Sequence, residues 1–168
     1  MLEIKIKYFD KNIPQDQKIG KIAHGDWIDL RSAEDISLLP FEYHQIKLGI
    51  AIQLPPDHEA HIKPRSSTFK TWGIIQVNSV ATIDESYCGD NDQWMMPVVA
   101  LPRTVSQLLL YPLAKIFPFL KKNLSTHIKK GDRVCQFAIV RKMPEITVTE
   151  VHSMDNADRG GFGTTGKK

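Results

Sequence analysis

The chain has 168 residues, with 22 Lys and Arg against 19 Asp and Glu, a formal charge of +3. Hydrophobic residues make up 42% and charged residues 24%. This balance fits one globular domain with a modest core, and it excludes the collagen-like, disordered and disulfide-framework classes.

The charge is unevenly spread. Between Gln93 and Gly131 stand Arg103, Lys115, Lys121, Lys122, Lys129 and Lys130, and no acid. That stretch carries +6, while the other 16 basic residues face all 19 acids and leave −3 elsewhere. A uniformly basic face or an aromatic-interleaved basic groove, the marks of a nucleic-acid binder, is therefore not expected. Cys88 and Cys135 make no CxxC pair and read as reduced thiols of a cytoplasmic protein. The N-terminus alternates charged with apolar residues, so no signal peptide is expected. The greasiest run, residues 108–120, holds Pro112, Lys115 and Pro118 and is too short to span a bilayer.

In chain order, Leu2, Ile4, Ile6 and Tyr8 alternate with Glu3, Lys5 and Lys7, which predicts a strand with one buried face. Ile46, Leu48, Ile50, Ile52 and Leu54 repeat that pattern and predict one strand, stopped by Pro55-Pro56. Residues 103–111 and 113–122 predict two helices bounded by Pro102 and Pro112, within a helical excursion over about 101–127. Residues 134–140 and 146–151 predict two more strands, separated by Met143-Pro144. The tail from Asp155 is polar and glycine-rich, and is expected to be mobile when nothing holds it. Many short strands between turn signals predict an all-β barrel or sandwich over 1–154, followed by a C-terminal arm over 155–168.

Five clusters have the chemistry to handle phosphate or a small ring. Gly25-Asp26-Trp27-Ile28-Asp29-Leu30 places two acids in an apolar context. Pro64-Arg65-Ser66-Ser67-Thr68 joins a guanidinium to three hydroxyls, suited to phosphate, and equally to a strand end where Ser66 or Ser67 caps a short helix. Residues 78–90 set Asp84 three positions before Tyr87, after a stretch read as a hairpin; Asp84 has the chemistry to activate a water. Lys130-Gly131-Asp132-Arg133-Val134-Cys135-Gln136 is a turn entering a strand. Residues 159–166 combine Arg159, Phe162, Thr164, Thr165 and four glycines, a segment able to fold over a nucleotide. Asp57-His58-Glu59-Ala60-His61 has metal-binding residue types without the spacing, since His58 and His61 fall on opposite faces of a strand. No Walker A motif occurs.

The order and spacing of the five clusters closely resemble the motifs of the trimeric, all-β dUTPases. The GDWIDLR and IDESYCGD variants resemble the subgroup of Gram-positive bacteria and their phages. The resemblance implies a jelly-roll-like β-barrel in a homotrimer with shared active sites. It implies hydrolysis of dUTP to dUMP and pyrophosphate, with Mg²⁺ bound mainly by the triphosphate. It makes Asp84 the carboxylate that activates water, and Tyr87 the ring under deoxyribose that excludes a 2′-hydroxyl. The segment from Asn78 through Ile83 to Tyr87 would read uracil through backbone groups. Arg65, Ser66 and Ser67 would contact phosphate, and Gln136 would lie near phosphate or the metal's waters. Asp29 would help hold the metal–water shell or the surroundings of Asp84. Phe162 would form a lid over uracil, with Arg159, Gly163, Thr164 and Thr165 on the outer phosphates.

Three positions depart from the family pattern: Ala81 for a usual glycine, Cys88 for a frequent arginine, and Arg159 closer than usual to Phe162. The segment 101–127 interrupts the pattern between the third and fourth motifs. It is basic and carries Leu108, Leu109, Tyr111, Ile116 and Phe117. Some phage dUTPases with inserts here bind repressors, so a repressor protein is an expected partner; a local lid is the structural alternative. The competing enzymatic reading is a dCTP deaminase of the same fold, and the non-enzymatic one is a protein-binding module. A phage-encoded copy would act in the host cytoplasm.

Overall fold

The computed structural model describes residues 2–20 and 25–158. The described residues form β1 (Lys5–Tyr8), β2 (Ile28–Arg31), β3 (Ile36–Leu38), β4 (Tyr43–Lys47), β5 (Ile50–Gln53) and β6 (His58–Pro64). Then come α1 (Thr68–Trp72), β7 (Ile74–Gln76), β8 (Ala81–Ile83), β9 (Met95–Ala100), α2 (Val105–Ile116), α3 (Lys121–Leu124), β10 (Thr126–Ile128) and β11 (Arg133–Arg141). The expected strand-built domain is present. The largest sheet runs β2-β11-β6-β8, a second runs β4-β9-β7, and β1-β5 and β10-β3 form two-stranded pairs. Every pairing is antiparallel.

Period-two patterning builds the core. In β9, Met96, Val98 and Ala100 are buried, whereas Met95, Pro97 and Val99 face outward. Trp94 meets Phe137 edge-on with ring centroids 5.3 Å apart, and both are fully buried. Each such side chain contributes roughly 1.5–3 kcal/mol through its burial. Cys135 is buried too; burial, and then the charge of Asp29, pushes its thiol well above the ordinary range and keeps it inert.

Three expected elements differ. The single strand over 46–54 is two, because Gly49 adopts φ 69° and turns β4 into β5. Ile46, Leu48, Ile50, Ile52 and Leu54 are nonetheless all buried, so the alternation marked the core across the bend. Residues 146–151 form no strand; Ile146, Val148 and Val151 are exposed, and nothing within the described chain pairs with them. The two helices divided at Pro112 are one helix, α2, with Pro112 inside it. Pro112 forfeits one backbone bond, but Tyr111 packs against Phe41 at 5.0 Å and Ala114 packs with Leu39 and Leu124. The break comes instead at Phe117, extended ahead of Pro118. Thr104 caps α2 by accepting from the Gln107 N–H at 3.1 Å.

Candidate active site

One cavity of about 680 Å³ lies where β2, the end of β6 and the start of β11 meet the loop of residues 16–20. Cross-strand register places Asp29 opposite Gln136, and Gln136 opposite Lys63. Both Asp29 carboxylate oxygens face guanidiniums: Arg65 Nε forms an ion pair with Oδ1 at 2.8 Å, and Arg133 Nη1 donates to Oδ2 at 3.1 Å. The turn after β6 is pinned by Thr68, whose hydroxyl accepts from the Arg65 N–H at 2.9 Å and donates to the Val134 carbonyl at 2.8 Å. Ser66 lines the cavity. Ser67 takes the N-cap position of α1, but its hydroxyl makes no capping bond. Lys18, Arg31, Arg65 and Arg133 outnumber the lining acids Asp16, Asp26 and Asp29 by one, and the three guanidiniums offer forked donors suited to phosphate.

A second cavity of about 430 Å³ is lined by Asn78, Ala81, Thr82, Ile83, Asp84 and Tyr87, with Gln45, Gln93, Met95 and Pro97 opposite. The expected hairpin over 78–87 is instead a corner between sheets. β7 pairs with β9 and β8 with β6, and Ser79 at φ 55° makes the turn. Ala81, the departure from glycine, is buried in the core opposite Ile62. Asp84 Oδ1 accepts from the Ser86 N–H at 2.9 Å and from the Ser86 hydroxyl. Those bonds, the hydroxyl's first, hold the Asp84 carboxyl below the usual carboxylate range. The Tyr87 and Asp84 N–H groups lower it further, and the carboxylate faces the cavity. Tyr87 donates its hydroxyl to the Gln93 carbonyl at 3.3 Å.

The sequence-expected residues thus gather in two places. Asp29, Arg65, Ser66 and Gln136 share the first cavity; Asn78, Ile83, Asp84 and Tyr87 share the second. The cavities have no lining residue in common. Ile83 pairs with Ala60, so Asp84 lies level with Glu59, while Arg65 follows the other end of β6. Six residues of strand separate those levels by roughly 20 Å. Within one chain Asp29 therefore lies beside Arg65 and Arg133 and remote from Asp84. Arg159, Phe162, Gly163, Thr164 and Thr165 lie outside the described residues. Arg133 and Trp27 were missed as site residues, although both stand inside the quoted motifs. His58 and His61 bond apart, to the Pro56 carbonyl and to Glu59. Among the described residues no cluster of three His, Cys, Asp or Glu side chains is placed to hold a metal.

No family model matches the chain. Against individual proteins it is 46% identical over 167 residues to the SPbeta prophage-derived deoxyuridine 5′-triphosphate nucleotidohydrolase of Bacillus subtilis (strain 168), covering 99% of this chain and 100% of that one. The chain belongs to the dUTPase family. A second dUTPase relative, from Finegoldia magna, is 34% identical over 170 residues, covering 97% and 99%. The fold is that of solved dUTPases: the enzyme of Staphylococcus bacteriophage 80alpha, determined with dUpNHpp, superposes with TM-score 0.69 at 16% identity, covering 98% of this chain and 99% of that one. Phage dUTPases, with that protein as the example, are described as controlling transfer of virulence genes by a G protein-like mechanism.

Proposed function

We propose that this chain is a dUTP diphosphatase whose active site forms between neighbouring copies in a homotrimer. The carrying observation is the division of the site. A cationic, phosphate-matched cavity and a carboxylate–tyrosine cavity stand at opposite ends of β6, and Asp29 and Arg133 hold Arg65 at its own end. Packing the first cavity of one copy against the second of another supplies both halves to one nucleotide. That arrangement fits a closed ring of like interfaces.

In the reaction, the Asp84 carboxylate takes a proton from a water as the water's oxygen bonds to the α-phosphorus. The bond from the α-phosphorus to the bridging oxygen breaks, and pyrophosphate leaves. Arg65, Arg133 and Ser66 neutralise and orient the phosphates, which is most of what phosphoryl transfer asks of a protein. Mg²⁺ enters as part of the triphosphate substrate. With Asp29 engaged by two guanidiniums, Gln136 and the carboxylates of Asp16 and Asp26 are the groups in that cavity that would meet the ion's waters. Backbone groups of the 78–83 corner read the uracil edge, and the Tyr87 ring supports the deoxyribose. By likeness to the family, Arg159, Phe162, Gly163, Thr164 and Thr165 would contact the bound nucleotide. The enzyme would act in the cytoplasm, limiting uracil in DNA and supplying dUMP; no described helix is long and apolar enough to cross a membrane.

The test is pyrophosphate release with Mg²⁺ from dUTP, dCTP and dTTP. Turnover confined to dUTP supports the reading. No turnover, or equal turnover of all three, refutes it, and ammonia released from dCTP would favour the deaminase.

A second role rests on α2. Val105, Leu109, Ile116 and the following Phe119 are 66–74% exposed, a row of apolar side chains with no cover in the described chain. Contiguous patches of this kind mark interaction sites. A repressor-type protein is the proposed partner. Deleting 102–126 should abolish repressor binding and spare dUTP turnover; loss of neither would remove the role.

A further inference from the structure

Glu85, next to Asp84, is gripped by two segments that the proposed chemistry does not use. Its Oε2 accepts from the Asp57 N–H at 2.7 Å, and its Oε1 accepts from Lys142 Nζ at 3.0 Å. The same ammonium lies 3.4 Å from Asp57 Oδ1. The Lys142 N–H donates to the Asp57 carbonyl at 3.0 Å, which closes a ring. Three segments meet in it: the turn carrying Asp84, the β5–β6 corner and the end of β11. Asp57 sits at φ 63°, a conformation that a non-glycine residue keeps where its surroundings hold it. The Lys142 bond, first among the causes, keeps the Glu85 carboxyl below its usual range, and the Glu85 bond raises the Lys142 ammonium. Both partners therefore stay charged across the neutral range.

The catalytic turn has few other anchors. Asp84 bonds within its own turn, and the Tyr87 hydroxyl reaches Gln93 over a longer 3.3 Å. Glu85 is the side chain that ties this turn to the body of the sheet. Lys142, in turn, stands where β11 ends and the exposed segment 143–158 begins, the root of the arm that leads to the fifth motif.

We propose that Glu85, clamped by Lys142 and the Asp57 amide, is a positioning residue for Asp84 and couples the root of the C-terminal arm to the catalytic turn. This rests on the dUTP-hydrolysis reading. With both oxygens engaged, Glu85 serves as a strut, not as a second base. Freeing it lets the Asp84 backbone drift, and a misplacement of about 1 Å lowers rate by up to about 100-fold.

The experiment compares the full chain with E85Q, K142M, the double variant and K47M, which breaks a surface pair with Glu34 outside the site. The expected result is a fall in kcat of about tenfold or more in E85Q and K142M, with KM for dUTP changed less than about twofold. The double variant should be no slower than the worse single one, as members of one unit are non-additive. Melting temperature and oligomer size should hold in all variants, because exposed ion pairs contribute little to stability, and K47M should match the parent. Unchanged kcat in E85Q and K142M overturns the proposal, as does a loss of kcat that tracks a fall in melting temperature or assembly. An inert parent chain refutes the dUTP reading on which the proposal rests; an active parent with unaltered variants refutes the positioning role alone.

Discussion

Asp29→Asn tests whether Asp29 works through the two arginines beside it. The carboxylate holds two guanidiniums at 2.8 and 3.1 Å, with side-chain exposures of 30% for Asp29, 26% for Arg65 and 50% for Arg133. Asparagine keeps one acceptor for Arg65 and turns an NH₂ toward Arg133, where two donors meet. Charge-assisted bonds of this kind contribute about 1.5–3 kcal/mol when buried, and the exposed Arg133 partner contributes less. A combined loss of about 2 kcal/mol of transition-state positioning lowers kcat about 30-fold. The sign of the KM effect is the sharper discriminator. Removing an acid from the cationic cavity makes it more positive, so KM for dUTP should hold or fall rather than rise. Steady-state pyrophosphate release at two ionic strengths reads both constants. A kcat within about threefold of the parent, or a large rise in KM at constant kcat, would refute the view that Asp29 orients Arg65 and Arg133 for the transition state.

Two further variants probe the site and the fold. Ser86→Ala removes the hydroxyl that does most to hold the Asp84 carboxyl down. The parent's acid limb in kcat/KM should therefore lie below the ordinary carboxylate range, and the variant's should move up toward it; a pH–rate profile with an unmoved limb contradicts the assignment of Asp84 as base. Gly73→Ala places a Cβ at φ 67°, 2.5 Å from Arg103 Cδ, beside the guanidinium that donates to the Thr71 carbonyl. Calorimetry should show a loss of about 1–2 kcal/mol, several degrees in melting temperature for a domain of this size, with dUTP turnover retained.

Much of this was legible in the sequence because its causes are local. Period two in β1 follows from one half-buried face, and Ile46 to Leu54 mark core positions whether or not the chain bends. The bend itself was hidden, since Gly49 reads as an ordinary glycine until its φ is known. Pro112 misled for the opposite reason: a strong local breaker was overridden by packing of Tyr111 and Ala114 on Phe41 and Leu39. Residues 146–151 have strand composition, but a strand needs a partner, and the described chain supplies none. The site residues were named from motif spacing, which carries identity but not distance. That Asp29 faces Arg65 and Arg133, or that Glu85 meets Lys142 across 57 positions, depends on register between strands remote in sequence. The charge that first set 93–131 apart proved equally partial: it flagged a segment whose exposed row is apolar, with Arg103 spent on the Thr71 carbonyl.

The central claim is that one chain's Asp84 works with another chain's Arg65. Mixing two inactive variants, Asp84→Asn and Arg65→Ala, after co-refolding tests it directly, with dUTP hydrolysis as the readout. Random assembly around a closed ring would restore roughly a quarter of the sites, each pairing an intact Asp84 with an intact Arg65 cavity. Turnover near that fraction of the parent is the predicted result. A mixture no more active than its two components would contradict a shared site.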